Sequence, residues 1–300
     1  MKPVRHTFFF WAFCFLLMSA TGAWAQDATS TDEPDNRPVK NMFNSTLIID
    51  NQTVLVPIKG TMEFDIQHRF GTWQNGYEDF WGLYAPSYIR LGFGFVPVDK
   101  LMLGFGLSKK NLTWDFNAKY AILTQTRSGS MPVSLTYYGN VSIDTRNKEK
   151  YPNPAEFQNT DRYSYFNQLL IARKISEDFS LQAGASISHF NTVTAYEDTN
   201  GDVVQDYNND HIAVEVMAKY TITPTTSIIF NYDQPLTKHE TYDPQPNLSI
   251  GVELKTSAHQ FQFFLGNYQF INPQLNNVFN TNSFGDNEIL LGFNMTRLWN

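Results

Sequence analysis

The sequence predicts an all-β fold: a transmembrane, antiparallel, up-and-down β-barrel of about twelve strands, with fourteen as the alternative. Three observations carry that expectation. Twelve stretches of the 300-residue chain alternate apolar and polar residues with a period of two. The connections between them alternate between short and long. Aromatic residues make up 15 % of the chain, yet the mean hydropathy is −0.34 and no apolar run after residue 25 approaches a spanning helix. Lipid-facing and lumen-facing residues alternate along a barrel strand, so its average hydropathy stays low.

The first strand is the clearest. Within Thr61 to Phe70, Met62, Phe64, Ile66 and Phe70 fall on one face and Glu63, Asp65, Gln67 and Arg69 on the other. Ile89, Leu91, Phe93 and Phe95 then alternate with Arg90, Gly92 and Gly94. Leu101, Leu103, Phe105 and Leu107 alternate with Gly104, Gly106 and Ser108. Trp114, Phe116, Tyr120 and Ile122 oppose Asp115, Asn117 and Lys119, and Val133, Leu135, Tyr137, Val141 and Ile143 oppose Ser134, Thr136, Asn140 and Ser142. Tyr163 to Arg173 is a less regular strand, and Leu181 to Ile187 a cleaner one. Ile212, Val214, Val216 and Tyr220 oppose Glu215 and Lys219; Ile228, Phe230 and Tyr232 oppose Asn231 and Asp233. Leu248, Ile250, Val252 and Leu254 oppose Ser249, Glu253 and Lys255. Phe261, Phe263 and Leu265 oppose Gln260 and Gln262, and Ile289, Leu291, Phe293 and Met295 complete the set. Residues 42–49 and 53–58 are the two stretches that would raise twelve strands to fourteen.

Short connections at 97–100, 126–132, 174–179, 221–226 and 256–258 alternate with long ones at 71–86, 145–162, 191–210, 234–247 and 268–287. Only 109–112 is short where a long one is due. Short turns at one end and long loops at the other are the pattern of outer-membrane barrels, and an even strand number puts both termini on the periplasmic side. A periplasmic β-sandwich would alternate within strands too, but would not need alternating loop lengths. Trp73, Tyr77, Trp81 and Tyr84 crowd one connection and Trp299 closes the last strand. Such rings favour a membrane interface, and a terminal aromatic is what the barrel-assembly machinery reads.

The N-terminus sets the compartment. Lys2 and Arg5 precede the apolar core Thr7 to Met18, and Ala23-Trp24-Ala25 supplies small residues for a peptidase. Residues 1–25 therefore read as a signal peptide cleaved near Ala25; the core is shorter than the ~20 residues of a spanning helix. Cys14 lies inside it, so the exported chain has no cysteine and no disulfide. Residues 26–60 read as a flexible periplasmic lead-in, and 61–300 as a barrel in the outer membrane of a Gram-negative bacterium, surrounded by lipid. Without Lys2 and Arg5, 20 of the 22 Lys and Arg face 29 Asp and Glu, a net of −9. An acidic balance excludes nucleic acid as a partner.

His68-Arg69-Phe70-Gly71, Arg90-Leu91-Gly92, Ile171-Ala172-Arg173-Lys174 and Gly292-Phe293-Asn294-Met295-Thr296-Arg297 occur in order across residues 40 to 299. In these stretches the chain resembles an uncharacterised outer-membrane barrel family of the Bacteroidota, a domain of unknown function. The resemblance implies the barrel and the type of organism, and no activity.

The second face of the strands is the expected lumen, lined by Glu63, Asp65, Arg69, Arg90, Asp115, Lys119, Glu215, Lys219, Glu253 and Lys255. Charges of both signs in so narrow a space must pair or be wetted. They either brace a nearly closed wall or line a narrow polar pore for small solutes. Gly92, Gly94, Gly104 and Gly106 all face inward from one hairpin, which sets glycine opposite glycine and bares a patch of wall. Relief of curvature explains it, as would room for a ligand or a large neighbouring side chain.

One outer loop, 197–210, has no Lys or Arg, and Asp198, Asn200, Asp202 and Asp206 space oxygen ligands as a calcium loop does. Val203 and Asn209 depart from the EF-hand pattern, so the competing reading is a solvated acidic loop. No other cofactor is expected. Outer-membrane lipases use a His-x-Ser pair, but none of His68, His189, His211, His239 and His259 has Ser two residues later. Asp210-His211 lacks the acidic partners of an outer-membrane protease, so no enzyme is expected. The expected functions are thus a porin-like channel, or a closed barrel acting on a surface partner through its long loops.

Overall fold

In a computed structural model, residues 33–151, 154–197, 203–205, 207–239 and 243–300 are described. Asp35–Asn300 forms one compact unit. Twelve strands close into an antiparallel barrel: β1 (Met62–Thr72), β2 (Tyr88–Val98), β3 (Leu101–Ser108), β4 (Thr113–Leu123), β5 (Ser134–Ile143), β6 (Tyr163–Lys174), β7 (Phe179–Phe190), β8 (Asp210–Thr223), β9 (Thr226–Pro235), β10 (Asn247–Lys255), β11 (His259–Gly266) and β12 (Leu290–Trp299). Each pairs with its neighbours in sequence. The barrel closes where β12 meets β1, from Leu290 opposite Thr72 to Trp299 opposite Met62. Closure pairs every strand edge, which the membrane interior demands.

The two faces differ as the alternation requires. Phe93, Phe105, Phe116 and Phe263 point outward and are exposed, while Glu63, Asp65, Gln67 and Arg69 point inward and are buried. The outward aromatics stack across strands, as Phe93 does on Phe105 at 5.2 Å. Short connections of 2–10 residues gather at one end of the barrel, and the long ones, with the tight 109–112 turn, at the other.

Twelve strands, not fourteen, form the wall. Residues 42–49 and 53–58 do not join it. From Asp35 onward the lead-in belongs to the same compact unit as the barrel. Pro38 bridges to Thr126 in a short turn, so the chain enters at the short-turn end. It then rises inside the barrel, folds back through a two-stranded hairpin (Leu47–Ile48 against Asn51–Gln52), and descends to Gly60 and β1. Met42, Phe43, Ile48, Ile49 and Val54 are buried there against Leu170, Ala172, Met217, Ile229, Phe264 and Tyr268.

From the long-loop end, the β11–β12 connection also folds inward. Its helix α1 (Pro273–Phe279) starts with proline at its first turn, where no N–H is missed. Gln274, Asn276 and Val278 of this helix are fully buried.

Candidate functional site

The site is the barrel interior. Nine of the ten lumen candidates are buried there: Glu63, Asp65, Arg69, Arg90, Asp115, Lys119, Glu215, Lys219 and Glu253. Lys255 is half-buried, at the last position of β10 by the short-turn end. Eight of the ten fall into two groups, one bracing the wall and one holding the hairpin.

The first group lies on β1, β2 and β4. Arg90 donates from Nε and Nη2 to both oxygens of Asp115 at 2.8 Å, and from Nη1 to Asp65 Oδ1 at 3.1 Å. This two-pronged grip matches the planar guanidinium. The glycine hairpin makes room for it. Gly92 pairs with Gly106 and Gly94 with Gly104. A Cβ on Gly106 would overlap the Arg90 guanidinium, and one on Gly92 the Asp65 carboxylate. Met102 and Asn117 cover Gly94 and Gly104. Large neighbouring side chains therefore occupy the bare patch.

The second group binds the inner hairpin. Lys219 donates to the carbonyl of Asn41 (2.8 Å), and Lys119 to those of Thr46 (2.7 Å) and Leu55 (3.3 Å). Glu63 accepts from the Thr46 hydroxyl and Glu253 from the Asn44 amide. Arg69 donates to the carbonyl of Ile49 at 2.9 Å, beside Asp50 at 3.8 Å, with its guanidinium over the Phe264 ring. Glu215 instead accepts from Gln168 and Gln182. Ile49 has a φ of 58°. Left-handed backbone strains a β-branched residue, and three wall side chains hold this one: Arg69 and Asn294 at its carbonyl, Gln262 at its N–H.

Four wall residues outside the ten candidates also have a role here. Gln182, Gln262, Thr136 and Asn294 all bond the hairpin main chain. The sequence did carry a signal. Leu170, Met217, Ile229 and Phe264 are apolar in the phase reserved for lumen residues, which is why β6 looked irregular. An apolar patch inside a polar lumen needs an apolar partner, and Ile48-Ile49 and Val54 supply it.

The hairpin tip meets the inward-folded loop: Asn276 donates to Asp50 Oδ2 at 2.6 Å. Gln274 reaches Asn140 and Ser142 on β5. Above them, toward the long loops, lies a cavity of about 180 Å³ lined by residues including Arg146, Tyr151, Arg162, Phe190 and Phe279. Arg162 stacks on Tyr151 and Phe157 and donates to the Asp144 and Arg146 carbonyls. Burial, then the nearby Asp144 carboxylate, pushes the Tyr151 phenol up to about 12.

The calcium candidates Asp198, Asn200, Asp202 and Asp206 lie outside the described residues. On either side of Asp198, Asn200 and Asp202, Ala195–Glu197 pairs antiparallel with Val203–Gln205. Asp210 and His211 do not couple: Asp210 pairs with His189 at 2.8 Å, whereas His211 Nε2 meets the Asn208 carbonyl at 2.6 Å.

No curated protein matches this chain in sequence. Among solved structures, the NanC porin is similar at a TM-score of 0.48 and 8 % identity, over 80 % of this chain and 100 % of that one. An outer-membrane channel from Pseudomonas putida F1 is similar at 0.48 and 12 %, over 82 % and 97 %. The KdgM porin follows at 0.44 and 8 %, over 80 % and 98 %. The family described as "Membrane bound beta barrel domain (DUF5777)" matches residues 43–299, and with nearly the whole barrel so covered, the chain belongs to that family of membrane-bound β-barrels.

Proposed function

We propose that this chain is a porin-like channel of the outer membrane for small solutes, held shut at rest by its own segment 41–56. One observation carries the reading: the lumen is wide enough to house a folded-back peptide and is walled by polar side chains. Eight strands enclose a space that side chains alone can fill. Twelve enclose more, and here a separate hairpin fills the difference. Its withdrawal would leave a passage lined by Glu63, Lys119, Lys219, Glu253 and the Arg90 cluster, narrowed toward the long-loop end by the inward-folded helix α1. In this reading residues 1–25 are the cleaved signal peptide, the assembly machinery inserts the barrel, and the host is a Gram-negative member of the Bacteroidota. The barrel performs no chemistry on its solute, does not bind nucleic acid, and takes calcium only at the 197–210 loop.

The test is single-channel conductance of the refolded full chain in a planar bilayer. The exported chain has no cysteine, so Asn44→Cys with Glu253→Cys can be joined by a short thiol crosslinker. Those side chains touch at 2.8 Å. Discrete openings before crosslinking and none after it are expected. Equal current in both would overturn the gate. A folded barrel that passes no current in either state would overturn the channel and favour a surface role for the long loops.

A further inference from the structure

The wall holds the hairpin chiefly by its main chain. Lys119, Lys219, Arg69, Asn294 and Thr136 all donate to its carbonyls. Two glutamines do more. Gln262 on β11 accepts from the Ile49 N–H at 2.9 Å and donates to the Leu47 carbonyl at 3.0 Å. Gln182 on β7 accepts from the Val54 N–H at 2.9 Å and donates to the Gln52 carbonyl at 2.8 Å. Both grips have the same form: the carbonyl of one residue and the N–H of the residue two further on. That is how a residue of a parallel strand bonds its neighbour, reaching main-chain groups two positions apart on the other strand. Each carboxamide therefore stands in for a strand partner. One grips the ascending arm and the other the descending arm.

Main-chain recognition does not depend on the side chains of the bound segment. Beside it, the wall takes polar side chains at three positions, where Asn44 donates to Glu253, Thr46 to Glu63 and Asn51 to Asn231 and Asp233, and apolar ones over Leu170, Met217, Ile229 and Phe264, which lie beneath Ile48, Ile49 and Val54.

We propose that the lumen wall is a binding site for extended oligopeptides with apolar side chains, gripped through their main chain by Gln182 and Gln262, and that segment 41–56 is its resident occupant. This names short peptides as the solute class of the channel, and as a statement about passage it rests on that reading. Lysine and arginine donors on the wall complete the match, since an extended peptide presents an unpaired carbonyl at almost every residue.

The test uses the full chain with Ile48→Asp and Ile49→Asp, which places charge in the apolar patch and expels the segment. A second form keeps the native segment and carries a protease site at the exposed Lys59, cut after refolding so that the segment can exchange. Three fluorescent 16-residue peptides are titrated in fluorescence polarisation, with heat-modifiable gel migration confirming the fold. One has the 41–56 sequence. The second keeps only Asn44, Thr46, Asn51 and the apolar positions 48, 49 and 54. The third is the first with the amide nitrogens of positions 49 and 54 N-methylated. The first two are expected to bind within about threefold of each other, and the third at least about tenfold more weakly, because each methyl group removes a donor that a glutamine accepts. Equal binding of the methylated peptide, binding of the native sequence alone, or no binding by either protein form would each overturn the proposal. Conductance of the Ile48→Asp/Ile49→Asp protein separates the two readings. Current without peptide binding sinks the peptide site and spares the channel, whereas peptide binding without current does the reverse.

Discussion

Arg90→Ala probes the braced wall most directly. Arg90 makes three charge-assisted hydrogen bonds, at 2.8, 2.8 and 3.1 Å, to two carboxylates that are themselves almost fully buried. Its removal leaves Asp65 and Asp115 facing one empty position with like charge. Breaking a buried pair by removing one partner costs about 3–5 kcal/mol, most of it the stranded charge rather than the lost attraction. A neutral triple variant, Asp65→Asn, Arg90→Met and Asp115→Asn, strands nothing. It should unfold within about 1–2 kcal/mol of the native protein, since well-packed neutral groups often replace buried ions at little cost. The assay is equilibrium urea unfolding in lipid vesicles, followed by tryptophan fluorescence, with gel migration as a second probe. A loss below about 1 kcal/mol for Arg90→Ala would show the cluster to be wetted, and the buried-charge reasoning would be wrong. A triple variant less stable than Arg90→Ala would refute it as well.

Gly106→Ala places a methyl group inside the Arg90 guanidinium, so we expect a loss of about 1–3 kcal/mol from forced repacking. Gly139→Ala, whose new Cβ would come no nearer than 3.3 Å to the Tyr137 side chain, should cost less in the same unfolding assay. On the outer wall, Phe93→Arg should cost about 2–4 kcal/mol in vesicles if that position lies near the bilayer midplane; the penalty should shrink in detergent, which adapts its shape around the charge. Tyr151 ionises only near pH 12. Since the folded state holds this proton more tightly than an unfolded chain, whose phenol titrates near 10, the packing of Tyr151 against Arg146, Phe157 and Arg162 is intact below pH 10 and weakens as pH rises toward 12. The difference in ultraviolet absorbance titration between the native protein and Tyr151→Phe should show one phenol titrating near 12, and a phenol titrating near 10 would mean that Tyr151 is solvated.

Strand number, the two faces and the alternation of turns and loops were legible in the sequence because each depends on local rules. A strand in a membrane barrel must put Phe93 and Phe105 toward lipid and Gly92 and Gly106 toward the lumen whatever lies elsewhere. Even the pairing of those glycines followed from the phase of one hairpin. The partners across the lumen could not be read that way. Nothing near Gln262 or Gln182 in the chain says that each grips a main-chain segment some 130 or 210 residues away. Polar residues at 26–40 read as a flexible leader because flexibility was judged from composition, and the apolar residues after Met42 suggested extra strands for the same reason. Only closure of the barrel creates an enclosed space, and only that space decides that Leu170, Met217, Ile229 and Phe264 must be covered and that Ile48, Ile49 and Val54 cover them. The sequence by itself determined the wall, through a period that each strand carries alone. The tertiary structure decided what fills it, because burial inside a closed barrel is a property of twelve strands together.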